Sequence, residues 1–321
     1  METLIQGIAA FAVAFSVFFS ALFSSTVSSF ERAVDRPFPQ QPHATVLFGG
    51  DMMFDRTVRT KMEQKGEDYI FSCIDPLLHD ADAVVANLEG PITDNPSKSA
   101  TSTPGDEFNY TFTFATSTGG LLARHNIRIV SIGNNHIMNY SRDGLVQTKK
   151  YLSRAGVQYF GDPAAVESER VLRTTIKGIP FSFVNWSDWT SDKTDHTVAQ
   201  VREEAQSGRI VVVYTHWGEE YVPVIPRVRA LAHQFVDAGA SIVIGSHPHV
   251  IQEHELYHGK NIYYSLGNLF FDQYWNAAVR NGLLVAATFD KSGVVALREQ
   301  RVELEHDRRT CPTATTTPPV Q

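Results

Sequence analysis

The sequence predicts an α/β fold, a layered sandwich with mixed sheets, preceded by one N-terminal transmembrane helix. Three observations carry that expectation. Short runs rich in Val, Ile and Phe alternate with amphipathic stretches, strand-like runs crowd the C-terminal third, and a long apolar segment opens the chain.

The opening segment, Leu4 to Phe23, is interrupted only by Gln6 and has roughly the twenty apolar residues a helix needs to cross a bilayer. It lacks a basic region before it and a small-x-small site after it, so residues 1–27 read as an uncleaved anchor, with a cleaved signal peptide as the alternative. Arg32 and Arg36 follow the segment and no Lys or Arg precedes it, a charge pattern that alone would leave the main domain in the cytoplasm. Residues 28–43, with Pro37, Pro39 and Pro42, form a linker. The domain spans 44–305, and the Thr/Pro-rich tail, 306–321, is expected to be disordered.

Within the domain, apolar runs starting at Ala44, Ala83, Ile127, Phe181, Ile210 and Ser241 read as buried strands. Asp143 to Ala155 and Val228 to Ala238 carry apolar residues at helical spacing, followed by Gly156 and Gly239 at helix-stop positions. Beyond Gln252 come NIYYSL, GLLVAATFD, a Lys291-Ser292-Gly293 turn and VVALREQRVEL, an antiparallel pattern. Asp94 to Glu107, dense in Ser, Thr, Pro, Asp and Asn, reads as an inserted loop.

The 321 residues, 43% of them hydrophobic, suffice for one large core, and a net charge of −7 argues against a nucleic-acid partner. The two cysteines, Cys73 in an expected helix and Cys311 in the tail, leave neither a disulfide framework nor a thiolate cluster, so any metal must be held by imidazole and oxygen.

Polar residues fall just past the apolar strands, where α/β folds place ligands. Asp51 follows VLFGG, Glu89 follows VVANL, Asn135 and His136 follow IVSIGN, His216 follows VVVYT, and His247 and His249 follow IVIGS. Mixed carboxylate, amide and imidazole ligands suit one or two divalent ions such as Mn, Zn, Fe or Mg. Two such ions about 3.5–4 Å apart polarise a phosphoryl group and activate water at neutral pH.

The order of these motifs resembles the calcineurin-like metallophosphoesterases and, within them, the CapA or poly-γ-glutamate capsule-synthesis family. The matching residues are Gly50-Asp51-Met52-Met53 with Arg56, Asn87-Leu88-Glu89 with Pro91, Asn134-Asn135-His136, His216-Trp217-Gly218 with Glu220-Tyr221, Ser246-His247-Pro248-His249, and Tyr264-Ser265-Leu266-Gly267-Asn268. The resemblance implies a metallophosphatase-like α/β/β/α sandwich in which Glu89 bridges two metal positions. Asp51 and His249 would complete one, and Asn135, His216 and His247 the other. It further implies His136 as general acid, Arg56 and Asn134 as substrate-binding residues, and Asn268 as support for the site. Its functional implications are a membrane-anchored, extracytoplasmic domain, membrane-bound polymer synthase subunits as partners, and an anionic polymer or phosphoester as substrate. A metal-dependent phosphoesterase or polymer hydrolase and a non-catalytic assembly subunit are the alternatives. Two departures matter: Asp51-Met52-Met53 stands where many phosphoesterases have Asp-x-His, which weakens the first metal position unless Asp55 substitutes, and Asn139 stands where the family usually has Asp.

Overall fold

The computed structural model describes residues 42–166, 170–190 and 193–314. The expected membrane segment and nearly all of the linker lie outside them. Among the described residues, no helix is long and apolar enough to cross a membrane.

Among the described residues there are fourteen strands: β1 Ala44–Met52, β2 Ala83–Leu88, β3 Ile127–Ser131, β4 Gln158–Phe160, β5 Leu172–Ile176, β6 Ile179–Ser187, β7 Ile210–His216, β8 Ile242–Ser246, β9 His254–Tyr257, β10 Lys260–Tyr263, β11 Asn268–Phe270, β12 Asn281–Asp290, β13 Gly293–Leu304 and β14 Thr310–Pro312. The α-helices are α1 Arg56–Lys65, α2 Asp75–His79, α3 Thr118–Arg124, α4 Ser141–Arg154, α5 Thr194–Gln206, α6 Pro226–Ala238 and α7 Ala277–Arg280.

The strands form two sheets. One runs β14-β13-β12-β1-β2-β3-β4, with β11 also paired to β1, and the other runs β5-β6-β7-β8-β10-β9. Strands β1 to β4 are mutually parallel, as are β6, β7, β8 and β10, whereas β12, β13 and β14 add antiparallel pairs. The edge strands β5 and β9 pair antiparallel with β6 and β10, so both sheets are mixed.

Side chains alternate across a strand, so a strand apolar at every position buries both faces. In β1, Val46 and Phe48 point into a core shared with Phe181 and Phe183 of β6, Val212 and Tyr214 of β7, and Ile242 and Ile244 of β8. Leu47 faces the other way, onto a core with Val58 of α1, Leu122 of α3 and Leu152 of α4. Val211, Val213 and Val243 turn from the second sheet towards Val201 of α5 and Leu231 and Phe235 of α6. The layers are helix, sheet, sheet, helix, and each fully buried Phe or Val side chain contributes about 1.5–3 kcal/mol.

The strands and the two helices expected from periodicity are present, and α6 ends at Gly239 in the left-handed conformation (φ 116°). The 94–107 insertion carries the short 3₁₀ turn Ser99–Thr101.

The tail differs from expectation. Thr310–Pro312 pairs with β13, and Cys311 forms a disulfide with Cys73, which lies in a turn before α2 rather than inside a helix. Two cysteines 238 residues apart carry no local signal of pairing; only the packing of β13 against the first helical layer brings them together. The bridge closes most of the domain into a loop, which restricts the unfolded chain. Replacing one partner, Cys311→Ser, should lower unfolding free energy by about 2–5 kcal/mol in a non-reducing denaturant titration. An unchanged midpoint would show that the bridge does not restrain the unfolded state.

Candidate metal centre

The C-terminal ends of β1, β2, β3, β7 and β8 converge, which brings the strand-end residues named from the sequence to one place. Asp51 arrives through an irregularity: the β1–β2 register shifts between Phe48 and Asp51. Gly50 permits it, because a Cβ at that position would lie 1.8 Å from the carbonyl oxygen of Gly267. Beyond β8 the chain places His247 (φ 95°) and His249 (φ 56°) in the left-handed region, which non-glycine residues adopt at a cost.

Asp51, Glu89 and His249, all buried, offer ligand atoms within 4.8 Å of one another. Nε2 of His249 lies 3.5 Å from Oε1 of Glu89, and its Nδ1 is 3.5 Å from Oδ2 of Asp51. The position expected to suffer from the missing imidazole is thus a compact triad. Asp55 does not join it. Its carboxylate accepts from Ser97 Oγ (2.6 Å), Arg59 Nε (3.0 Å) and the backbone of Arg56 and Thr113, so it caps α1 and ties down the inserted loop.

Asn135 and His216 meet at 2.9 Å between Oδ1 and Nε2, and the His216 and His247 rings are 4.8 Å apart. Glu220, exposed and matched from the sequence without a ligand role, forms a second group with His247 and His249 that could hold a cation.

Hydrogen bonds orient two of the imidazoles. The Asn268 amide donates to the carbonyl oxygens of His249 and Val279 and to Gln273 Oε1, so its own oxygen accepts from Nδ1 of His249 at 2.9 Å. Nε2 of His249 is left with a lone pair on the Glu89 side. Ser246 Oγ donates to the Thr215 carbonyl oxygen and therefore accepts from Nδ1 of His216 at 3.0 Å. The remaining lone pair of His216 faces the side-chain oxygen of Asn135.

These residues fit a divalent cation. Both oxygens of Glu89 and Nδ1 of His247 are buried without a hydrogen-bond partner, and an ionised carboxylate so placed costs several kcal/mol unless a positive charge compensates it. Burial, then the Asp51 charge, pushes the Glu89 carboxyl well above its usual range. Burial raises Asp51 to about 6, opposed by the bond from the His247 backbone amide. Burial lowers His247 to about 4 and holds His216 and His249 well below the usual imidazole range, so the imidazoles are neutral and able to donate lone pairs.

The other expected residues are placed differently. Asn134 is engaged at both ends of its amide: it donates to Asn87 Oδ1 (3.0 Å) and the Leu88 carbonyl (2.8 Å) and accepts from the amides of His136 and Ile137. It braces the loop after β3 and has no group left for a substrate. Arg56 pairs with Asp272 (2.5 Å) between the rings of Phe112 and Phe271. His136 rests against Phe112, with Nδ1 3.1 Å from Asn139 Oδ1, and burial lowers it to about 4. Sequence reasoning gave no role to Asn87, which donates to Asp51 at 2.8 Å, or to Trp189, whose ring is 4.1 Å from that of His247. Trp189 follows β6, and the strand-end rule applied there would have found it.

Residues 45–273 match the family described as bacterial capsule synthesis protein PGA_cap. The chain is 32% identical over 263 residues to the PGA biosynthesis protein CapA of Bacillus subtilis (strain 168), covering 77% of this chain and 68% of that protein. It is 30% identical over 260 residues to the capsule biosynthesis protein CapA of Bacillus anthracis, covering 75% of this chain but 62% of that one. A "Probable polyglutamine synthesis accessory protein" of Mycobacterium tuberculosis is 29% identical over 171 residues, 45% of each chain.

The raised Asp51 carboxyl gives a pH signature. Its folded value, about 6, exceeds the unfolded 3.8, so without a cation the folded state holds the extra proton and this group's contribution to stability falls as pH rises through that window. A divalent ion competes with the proton. The rise in melting temperature on adding Mn²⁺ should be larger above pH 6 than below pH 4. A shift independent of pH would contradict binding at this carboxylate.

Proposed function

This chain belongs to the PGA_cap family of bacterial capsule synthesis proteins, and from that premise we propose that it is a membrane-anchored, CapA-like component of poly-γ-glutamate or related surface-polymer synthesis or export. Its metallophosphatase-like sandwich would lie outside the cytoplasm, with membrane-bound polymer synthase subunits as partners. The observation that carries the metal part of this reading is the buried, unpartnered Glu89 beside Asp51 and His249. The Cys73–Cys311 bridge favours the extracytoplasmic placement, since such bonds persist in oxidising compartments.

In this reading Glu89, Asp51 and His249 would hold one ion, and Asn135, His216 and His247 would serve a second position. A divalent ion held there supplies Lewis acidity towards a phosphoryl or carbonyl oxygen. Asn87, Ser246 and Asn268 keep the ligands in their tautomers and directions. Trp189 and Tyr221 flank the imidazoles, with rings 4.1 Å from His247 and 6.1 Å from His249.

A non-catalytic or weakly catalytic role is favoured over hydrolysis by one observation. A general acid must carry a proton, yet burial, joined by the Arg56 charge, holds His136 at about 4 even though the bond to Asn139 Oδ1 works in the opposite direction.

The test uses the full chain in detergent. Stoichiometric divalent metal is expected in the parent by elemental analysis, with at least a tenfold loss of affinity in Glu89→Gln and His249→Ala, roughly the effect of losing one ligand or its support. Absence of metal in the parent would sink the proposed centre. A general acid contributes about 10²–10⁴-fold, so any phosphoester or poly-γ-glutamate turnover should fall by less than that in His136→Ala. A fall within that range would restore the hydrolytic reading. A reporter fused after Arg36 should be active outside the membrane, and cytoplasmic activity would overturn the placement.

A further inference from the structure

Next to the metal centre lies a cavity of about 290 Å³ that the site residues do not account for, lined by Arg56, Tyr110, Tyr221, Gln273, Trp275 and Arg308 among others. It adjoins the centre through two side chains. The Tyr221 ring stacks 6.1 Å from that of His249, and Gln273 accepts from Asn268, which orients His249, while donating to the Tyr221 hydroxyl.

Three large aromatic residues on its walls are exposed: Tyr110 by 57%, Tyr221 by 41% and Trp275 by 60%. Tyr221 and Trp275 pack edge to face at 5.4 Å. Of its two arginines, Arg56 is neutralised by Asp272, which Thr57 also contacts. Arg308 is different. It donates to Thr57 Oγ1 and the His306 carbonyl and lies over Tyr274 at 4.4 Å, and among the described residues no carboxylate pairs with it. Its backbone is held by the bond from its amide to the Glu305 carbonyl, three residues before the disulfide that anchors the tail. Arg56, Tyr221 and Arg308 all have positive φ (48°, 64° and 77°), a conformation that side chains of this size adopt only where the surroundings impose it.

We propose that this cavity is a subsite for an extended, acidic amide chain, an oligoglutamate, with Arg308 pairing a carboxylate and Tyr110, Tyr221 and Trp275 stacking on the planar amides. The chain would run from there past Tyr221 towards the carboxylate–imidazole cluster. The choice of a polyglutamyl chain rests on the proposed function. The net charge of the wall, two guanidinium groups against Asp272, selects an anion, and the open aromatic faces suit a linear chain better than a compact phosphate.

The test measures fluorescence anisotropy of a labelled oligo-γ-glutamate with the full chain in detergent, at low salt and after chelator treatment, so that the readout does not depend on metal. The parent should bind the acidic oligomer and not a neutral oligoglutamine of equal length. Arg308→Ala should weaken binding about tenfold, the loss expected for one charge-assisted contact. Trp275→Ala, at a position 60% exposed, should weaken it as well while leaving the melting temperature of the protein unchanged. Equal affinity in the parent and both variants overturns the proposal, as does equal binding of the neutral oligomer. Tighter binding of an acidic polysaccharide overturns the choice of chain. A parent that binds no metal yet shows Arg308-dependent oligomer binding would refute the proposed metal centre and leave this subsite standing.

Discussion

The two oxygens of Glu89 are fully buried and unbonded, next to a second buried carboxylate on Asp51. Such a pair cannot be ionised in a closed interior without an opposing charge, and the rest of the local structure is arranged around that constraint. The neutral imidazoles of His216 and His249 approach these carboxylates, and a hydroxyl and an amide hold them with lone pairs inward. A cation held there, as proposed, would offset the cost of burying these charges.

Rigid surroundings sustain that arrangement. His247 and His249 occupy left-handed backbone conformations costing about 1–3 kcal/mol each. They are held there by β8, whose Ile242 and Ile244 are locked in the inter-sheet core, and by the bond from the His247 amide to Asp51 at 3.0 Å. The same rigidity extends outwards through Asn268, Gln273 and Tyr221, so the aromatic cavity beside the centre shares its framework. The disulfided tail contributes Arg308 to that cavity, which links the last described strand to the functional face.

Much of this was legible in the sequence because strand ends and ligand positions coincide. Runs such as VVVYT before His216 and IVIGS before His247 announce buried parallel strands by being apolar at every position, and in such sheets the residue after the strand faces the crevice. The six motifs in order resembled one family, and the comparisons agree with that resemblance. Local pattern was less reliable for polar residues. Asn134 and Asp55 have the chemistry of site residues, but their hydrogen bonds are taken up by neighbouring loops, a fact that depends on partners up to 58 residues away.

The strand and helix periods, the candidate ligands and the family follow from residue type and short-range spacing along the chain. The compact Asp51, Glu89 and His249 triad, the placement of Glu220 and Trp189 beside the imidazoles, and the meeting of Cys73 with Cys311 across 238 residues emerge from the packed fold alone. The reason is physical: which polar groups remain unpaired, and which distant side chains touch, is set by the packing of two sheets against each other and by the loops at their ends, and periodicity along the chain does not encode either.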